Sequence, residues 1–358
     1  MTKKNRKWSR RFLIFIQLPL LAAYVISALA CHFNPADAPL LGLAGLAFPV
    51  LLVGQLIFTG FWFLRGRRFA WVSLVITLVG WPHFANIYQW NGTLATQPTG
   101  VRVMTYNIHY WSPMDSEIDL DSARQELSTL IRDVNPDILF LQENKDIPRS
   151  RNLPFMHKLH VPVYENSTYG YAIYSKYPVL NHTFHTFESR RAGYRGLLSA
   201  DLLIGSDTVR AINVHLVNTS LIPEDYQTLA ATESDLSSDQ IEEEGKDILR
   251  KLGQSYRIRG NQAKELAAYV ESSPHPVILC GDFNDTPTSF AYKRVSNLLN
   301  DAFVAMGTGS GDTYNKVNII PLRIDYIFAG PEFQCDAFAT IPALWSDHKP
   351  IYADFTLN

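Results

Sequence analysis

The sequence predicts a mixed α/β domain with mainly antiparallel sheets, preceded by an N-terminal bundle of about three transmembrane helices. The first hundred of its 358 residues contain nine Lys and Arg but one acid, Asp37, whereas the remainder carries a net charge of −10. Long uncharged apolar runs fill the first part, and short apolar runs separated by turns and helical stretches fill the second. The overall charge of −2 therefore combines two regions of opposite composition.

Three apolar runs at the start of the chain predict the transmembrane anchor. Residues 12–31 and 40–64 are each long enough to cross the hydrocarbon core, which takes a helix of about 20 residues. Residues 69–88 also lack charge, but Pro82 and His83 interrupt this third span. A cleaved signal peptide fits the first run less well, because that run is longer than a signal-peptide core and a second apolar run follows it.

Basic residues predict the orientation of this anchor, which we assign to residues 1–90. They are concentrated at 3–11 and 65–68, and the loop at 32–39 has none. Because cytoplasmic loops are enriched in Lys and Arg, the N-terminus and the second loop are expected in the cytoplasm. Three spans then place the following domain on the side of the membrane opposite the N-terminus, which is the periplasm if this is a bacterial inner-membrane protein. If 69–88 is only an interfacial segment, the domain faces the cytoplasm instead.

The α/β domain is predicted over 101–358, after a small, polar, uncharged linker at 91–100. Helical spacing of apolar residues predicts helices at 121–134 and 260–272. Several strands follow one another without room for a crossover helix, so the sheets are expected to be mainly antiparallel. Short apolar or alternating runs predict these strands at 101–108, 137–143, 171–176, 197–204, 208–216, 276–283, 323–330 and 351–357.

An acidic stretch lies between His215 and Arg257, and its apolar residues have helical spacing. It is interpreted as a solvated helical insertion, with a lid over a functional site as the alternative. Arg257 and Gln262, in the segment YRIRGNQ, are interpreted as part of the start of the following helix.

Eight polar residues stand at the end of a predicted strand or just beyond it. One such residue alone would be an ordinary turn former, or a buried residue whose hydrogen bonds are all made within the core. Eight of them at separate strand ends indicate a shared site. Oxygen ligands without a thiolate suit a hard cation, Mg²⁺ or Mn²⁺. Histidines and further carboxylates beside such an ion could stabilise charge, transfer protons and position water for phosphoryl chemistry. The eight are Asn107, Glu143, His215, Asp282, Asn284, Asp325, Asp347 and His348.

The segments that contain these residues resemble the endonuclease/exonuclease/phosphatase superfamily, which has the deoxyribonuclease I-like fold. Single motifs of this kind are weak, but the ordered set is highly specific and spans essentially the whole second region. The resemblance implies a four-layer α/β/β/α sandwich with two sheets inside and helices outside. The matching segments are TYN (105–107), LQE (141–143), SKYP (175–178), NVHL (213–216), GDFND (281–285), RIDYI (323–327) and SDHKP (346–350).

The resemblance also implies a divalent-metal site. Glu143 would be the principal ligand of Mg²⁺, or of Mn²⁺, with Asn107 and Asp347 near the ion. The chain has no GxxxxGK[ST] and no GxSxG motif, so nucleotide-triphosphatase and serine-hydrolase activities lack support.

The remaining matched residues are implied to carry out in-line attack of water on a phosphoester. Asp282 would position or activate the water, and Asn284 would hold the phosphate or that water. His348, paired with Asp325, and His215 would flank the scissile phosphate, stabilise charge and protonate the leaving oxygen. The general base stays open among carboxylate, histidine and metal-bound hydroxide.

The substrate of this expected Mg²⁺-dependent phosphoric ester hydrolase stays open. A net charge of −10 without a stripe of Lys and Arg disfavours tight binding of DNA or RNA, although it leaves room for a locally basic groove. The short linker keeps the site near the lipid bilayer, which gives a slight preference for a lipid or small phosphoester over a nuclease substrate. A catalytically inactive ligand-binding domain is the third alternative, which the presence of Glu143, Asp282 and His348 disfavours.

Overall fold

The chain folds into an N-terminal helical bundle (residues 3–91) and a two-sheet sandwich domain (residues 100–358), as seen in a computed structural model. The structure describes residues 3–91, 100–111, 119–146, 153–164, 167–191, 194–219, 238–316, 321–343 and 345–358. Most of the predicted linker, 92–99, therefore lies outside the described residues.

Five helices form the bundle: α1 (Lys3–Leu29), α2 (Pro39–Leu46), α3 (Phe48–Leu64), α4 (Phe69–Val79) and α5 (Trp81–Ile87). One stretch within the described residues, Phe12–His32, is long and apolar enough by itself to cross a membrane. The pairs α2–α3 and α4–α5 bend by 56° and 52°, and each pair would add one span if counted as a single helix.

The expected continuous helix over 40–64 is therefore broken, as is the third run. Pro49 and Pro82 lie in the first turn of α3 and α5. A proline has no N–H to bond the preceding turn, so it begins a new helix more readily than it continues one.

In its described residues, the sandwich domain contains four further α-helices and most of the strands. The helices are α6 (Leu120–Val134), α7 (Ser238–Glu271), α8 (Phe290–Ser296) and α9 (Ala302–Met306). The strands are β1 (Gln89–Trp90, at the end of the bundle), β2 (Val101–Asn107), β3 (Ile138–Lys145), β4 (His157–Pro162), β5 (Tyr169–Ser175), β6 (Val179–Arg191), β7 (Tyr194–Ile204), β8 (Asp207–His215), β9 (Val277–Asp282), β10 (Asn300–Asp301), β11 (Thr308–Gly309), β12 (Asp325–Ala329), β13 (Phe333–Thr340) and β14 (Ile351–Leu357).

Two six-stranded sheets result, in the orders β13-β14-β2-β3-β5-β4 and β10-β12-β9-β8-β7-β6. One parallel pair lies in the middle of each sheet, β2–β3 and β8–β9. Their other strand pairs in the described part of the chain are antiparallel. The prediction of mixed, mainly antiparallel sheets is confirmed, and each parallel pair brings two carboxyl ends to one edge.

Three apolar cores separate four layers. The largest lies between the sheets, where Phe140 of one sheet and Ile278 of the other belong to the same buried cluster. Ile131 of α6 packs on the outer face of the first sheet. Leu266 of α7 and Val295 of α8 pack on the outer face of the second. The α/β/β/α sandwich expected from the resemblance is thus confirmed.

The sequence misjudged helix α7 and missed three long strands. Helix α7 begins at Ser238 instead of residue 260, so Arg257 and Gln262 lie within it and not at its start. Its first half is not simply solvated, because Ile248, Leu252 and Tyr256 pack against Leu43 of α2. Residues 220–237 of the acidic stretch lie outside the described residues. The missed strands β4, β6 and β13 are all edge strands, where polar side chains obscure the apolar alternation.

Candidate catalytic site

All eight predicted site residues lie at the edge where the parallel strands of both sheets end. Asn107 and Asp282 end β2 and β9, and Asp325 begins the antiparallel neighbour β12. Seven of the eight line one cavity of about 210 Å³, and Asp325 lies behind His348. Further lining residues are His109, Tyr110, Asn218, Thr219, Tyr314 and Lys316.

The completely buried Asp282 carboxylate is the centre of the site. Its Oδ2 atom accepts hydrogen bonds of 3.1 Å from both Asn107 Nδ2 and Asn284 Nδ2, and it lies 3.2 Å from His215 Nε2. Its Oδ1 atom accepts the Asn284 backbone N–H at 2.7 Å. Burial opposes ionisation, but the positive charge of His348 and the hydrogen bonds from His215 and Asn284 outweigh it and lower the pKa of Asp282. Asp282 is therefore ionised at neutral pH.

His348 is held by a second buried carboxylate. Its Nδ1 atom lies 2.8 Å from Asp325 Oδ2, and its Nε2 atom lies 3.6 Å from Asp282 Oδ2. Burial disfavours the charged imidazolium, but Asp325 and Asp282 outweigh burial and raise the pKa of His348 to about 10. The backbone N–H of Asp325 donates to Thr313 Oγ1, which fixes the start of β12. His348 is thus a cation held in one orientation.

Glu143 reaches the cavity because β3 is irregular at this point. The pairing of β3 with β5 shifts register between Leu141 and Asn144, and Glu143 has a φ of 51°. A bulge of this kind redirects the side chain that it contains. The Tyr110 hydroxyl is hydrogen-bonded to Glu143, and burial together with this carboxylate raises the pKa of Tyr110.

Backbone conformations in the left-handed region cluster around the site. His109 and Tyr110, which follow Asn107 closely, have φ values of 43° and 60°, and Asn284 has a φ of 52°. Asn tolerates this region better than most residues. Gly281 precedes Asp282 with a φ of 147°, and a Cβ atom there would lie 1.9 Å from the Val214 carbonyl oxygen. Only glycine fits this approach of β9 to β8.

Asp347, directly before His348, also lines the cavity. Its Oδ2 atom is 2.8 Å from Lys316 Nζ. Burial opposes its ionisation, but His348 and Lys316 outweigh burial and lower the pKa of Asp347. The carboxylate is therefore ionised and partly neutralised by a lysine.

The oxygen donors around the cavity fit a divalent cation. Glu143 and Asp347 contribute carboxylates and Asn107 an amide to the lining of this cavity, and hard cations prefer such ligands. A second group, Asp282, Asp325 and His348, has potential ligand atoms within 4.8 Å of one another. Its histidine nitrogens already face the two carboxylates, so this group is an ion-paired cluster in the structure.

Sequence reasoning missed Arg259 and Lys316 near the site, and it assigned Gln262 only to the start of a helix. Arg259, not Arg257, is the buried arginine of α7, and its Nε atom is 2.9 Å from Asp285. Gln262 accepts the Val217 backbone N–H at 2.9 Å, just beyond His215. The spacing of Arg259 and Gln262 on the apolar face of the helix was the available signal. No sequence signal pointed to Lys316, because it lies in a loop with no predicted helix or strand beside it.

Comparison with known families identifies the chain. The profile of the endonuclease/exonuclease/phosphatase family matches residues 104–348, so the chain belongs to this family. Family members are hydrolases that act on phosphoesters, and they generally use divalent metal ions. Residues 10–87 match a second profile, which is described as a domain of unknown function. A comparison with curated proteins gives no match.

Solved structures support the fold. An endonuclease/exonuclease/phosphatase from Bacteroides vulgatus is 22% identical, with a TM-score of 0.52 over 73% of this chain and 100% of that one. A family member from Beutenbergia cavernae is 20% identical, with a TM-score of 0.51 over 72% and 71% of the chains. A humanized D. rerio TDP2 is 18% identical, with a TM-score of 0.50 over 72% and 98%. These identities establish the shared fold alone.

Proposed function

We propose that the protein is a membrane-anchored, divalent-metal-dependent phosphoesterase that hydrolyses a phosphodiester or phosphomonoester by in-line attack of water. One observation carries this proposal: the buried cluster of Asp282, His215 and His348 faces the same cavity as the carboxylates of Glu143 and Asp347. A cation site beside fixed proton donors and acceptors is the arrangement that phosphoryl transfer requires.

Glu143 is the proposed principal ligand of Mg²⁺, or of Mn²⁺, with Asn107 and Asp347 beside it. When bound, the ion supplies positive charge against the phosphate oxygens and orients the ester. Lys316 and the Tyr110 hydroxyl, which now contact Asp347 and Glu143, would exchange these contacts for the ion or the phosphate.

Asp282 orients and deprotonates the attacking water in this proposal. Its lowered pKa keeps it anionic, and the hydrogen bonds from Asn107 and Asn284 hold its Oδ2 in place. Asn284, beside it, positions the water or a phosphate oxygen. The water oxygen forms a bond to phosphorus as the bond to the leaving oxygen breaks, and the proton passes to the carboxylate.

His348 and His215 stabilise the charge that develops on the phosphate. The raised pKa of His348 makes it a poor base and a good fixed cation, with Asp325 holding its Nδ1 side. Protonation of the leaving oxygen falls to one of these two imidazoles. All eight residues thereby have a proposed role, seven of them at the cavity and Asp325 behind His348.

The bundle is proposed to span the membrane at 12–31, 40–64 and 69–88, with the linker at 91–100 and the catalytic domain at 101–358. Basic residues at 3–11 and 65–68 support a cytoplasmic N-terminus and a periplasmic catalytic domain in a bacterial inner membrane. The substrate proposed first is a lipid or small phosphoester, which the net negative charge of the domain supports over DNA or RNA.

A turnover assay on the full-length protein in detergent tests the proposed chemistry. Bis-p-nitrophenyl phosphate should be cleaved with Mg²⁺, and chelation with EDTA should abolish cleavage. Glu143→Gln should reduce activity about 10³-fold, in keeping with loss of a group that stabilises the transition state. His182→Ala changes an exposed histidine of β6 and is the matched control, with unchanged activity. Absence of metal-dependent turnover on every phosphoester would contradict the proposal.

A substrate screen tests the preference. Vesicles containing phosphodiester lipids, soluble small phosphoesters, DNA and RNA are compared at equal phosphate concentration. Faster turnover of lipid or small phosphoesters is expected. Preferential cleavage of DNA or RNA would establish the nuclease alternative, and saturable binding without turnover would establish an inactive ligand-binding domain.

A further inference from the structure

The helical bundle is packed directly on the catalytic edge of the sandwich domain. Thr288, in the loop after Asp282, is buried and donates from Oγ1 to the Gly45 carbonyl oxygen of α2 at 2.9 Å. Arg323, two residues before Asp325, donates from Nη2 to the Asn86 carbonyl oxygen of α5 at 2.9 Å. The bundle therefore contacts both segments that carry the two central carboxylates.

Helix α2 fits closely against the sandwich domain through two glycines. A Cβ atom on Gly42 would lie 2.7 Å from Tyr256 Cδ1 on α7, and one on Gly45 would lie 3.0 Å from the Thr288 carbonyl oxygen. Leu43, between them, packs with the apolar face of α7 around Tyr256. Any larger side chain at Gly42 would push α2 away from α7.

Contacts continue from this interface to the loop after Asp282. The Arg259 guanidinium lies 4.5 Å from the centre of the Tyr256 ring. The same guanidinium donates from Nε to Asp285 at 2.9 Å and from Nη1 to the Val217 carbonyl oxygen at 2.8 Å. Arg259 thus joins the segment that follows His215 to the segment that follows Asn284.

The second contact leads to Asp325. Arg323 is buried and pairs with Asp301 at 2.8 Å, and its Cα atom lies at most about 7 Å from that of Asp325 along the chain. The Tyr326 hydroxyl hydrogen is shared between the carbonyl oxygens of Asp285 and Arg323, at 2.7 and 2.9 Å. The loop after Asp282 and the segment before Asp325 are thereby tied to each other as well as to the bundle.

We propose that the docked helical bundle positions the catalytic carboxylates, so that turnover depends on the contact between α2 and the sandwich domain even for a substrate that never enters a membrane. Gly42, Gly45, Thr288 and Arg323 are positioning residues in this proposal and do not touch the substrate. The proposal rests on the proposed hydrolase activity of the site. A misplacement of about 1 Å at a catalytic group can lower a rate by about 10²-fold.

The test compares Gly42→Leu with Gly60→Leu in the full-length protein in detergent. Gly60 lies in α3 of the same bundle, and a Cβ atom there would have no neighbour within 4 Å. With bis-p-nitrophenyl phosphate, Gly42→Leu should lower kcat at least tenfold with KM changed less than twofold, and Gly60→Leu should match the wild type. Gly42→Ala should give an intermediate kcat. A kcat for Gly42→Leu within twofold of wild type would overturn the proposal.

A second measurement follows docking without using activity. A protease site is inserted into residues 92–99 and cleaved in the purified protein. The sandwich domain should remain bound to the bundle through size-exclusion chromatography, and Gly42→Leu should release it. Release from the otherwise wild-type protein would overturn the docking.

The two proposals can fail separately. If every variant lacks turnover yet docking is retained, the proposed function has failed. If Gly42→Leu releases the domain and keeps full kcat, the positioning proposal alone has failed.

Discussion

The helical bundle and the catalytic site both bury polar side chains, but the two networks differ in charge. The bundle network is neutral: Gln55 Nε2 donates to Ser73 Oγ at 3.0 Å and Thr77 Oγ1 at 3.2 Å, and Gln17 Nε2 donates to Ser73 Oγ at 2.9 Å. The catalytic network is built from ionised groups, Asp282 and His348 foremost.

The difference suits the surroundings that each network would have if the bundle spans a membrane, as proposed. Amides and hydroxyls can satisfy one another between helices at little cost in an apolar medium, where an unpaired charge is expensive. In the sandwich domain, buried charges compensate one another beside a shared cavity. Neutral polar groups thus specify how the helices pack, and charged groups form the catalytic site.

Neutralising the centre of the charged network should have the largest effect. Asp282→Asn keeps the shape of the side chain but removes the charge that His215 and His348 face. We expect kcat to fall about 10³-fold or more, as for loss of a central catalytic group. Steady-state kinetics on bis-p-nitrophenyl phosphate checks this.

Asp201→Asn is the matched control for that prediction. Asp201 is also a partly buried carboxylate in an ion pair, 2.8 Å from Arg210 Nε, but it lies in β7 and does not line the cavity. It should lower thermal stability slightly and leave kcat unchanged. Equal losses of kcat in both variants would show that general destabilisation, and not the site charge, is responsible.

The charge on His348 should appear as a pH dependence of stability. A pKa raised from 6.5 to about 10 means that its stabilising effect is complete below about pH 6.5 and is lost as pH rises through 10. In EDTA, the Tm advantage of the wild type over His348→Gln should therefore shrink between pH 6.5 and 10, by the equivalent of roughly 4 kcal/mol. Thermal melts across this range measure it.

His182→Gln gives the reference for the pH series, because it removes an exposed histidine outside the site. A change with pH that is the same in both variants would not come from the buried ion pair of His348. A Tm advantage over His348→Gln that stays constant from pH 6.5 to 10 would mean that His348 is neutral in the folded protein.

Introducing a charge into the neutral network should break the bundle. Gln55→Glu places a carboxylate among buried hydroxyls where the only described partners are neutral. On insertion scales an acidic residue at the centre of a span costs about 2.5–3.5 kcal/mol. We expect a lower Tm and less protein in membranes, whereas Gln55→Met should lose only about 1 kcal/mol of interhelical hydrogen bonding. If both variants melt at the same temperature, charge does not distinguish the two networks.

Sequence reasoning recovered the parts of this comparison that depend on local pattern. Strand ends such as Asn107 and Asp282 follow apolar runs, and the ordered motifs indicated the family and its four layers. It did not find Lys316, because a loop lysine has no periodic context. It also took 40–64 as one span, although Pro49 was the local signal for the 56° break between α2 and α3. The docking of the bundle on the sandwich domain could not be predicted from the sequence, since Thr288 and Gly45 are 243 positions apart and neither belongs to a motif.

The smallest expected effect concerns the lysine that faces the charged network. Lys316 Nζ contacts Asp347 and is partly exposed, so solvent screens the pair. Lys316→Met should free this carboxylate for the cation and reduce positive charge near an anionic substrate. We expect the Mg²⁺ concentration for half activation to fall about threefold and KM to rise about threefold, changes that fit a screened charge.

Lys176→Met is a suitable control for Lys316→Met, because Lys176 has similar exposure and also pairs with an aspartate, Asp137, at 3.1 Å. Asp137 directly precedes β3, whereas Glu143 lies near the end of β3. The control ion pair is therefore at the edge of the sheet opposite the site. Its Mg²⁺ activation curve should match that of the wild type. An unchanged Mg²⁺ midpoint in Lys316→Met would argue that Asp347 does not belong to the cation site. A higher midpoint would instead mean that Lys316 supports metal binding, for example by holding Asp347 in the orientation that the ion requires.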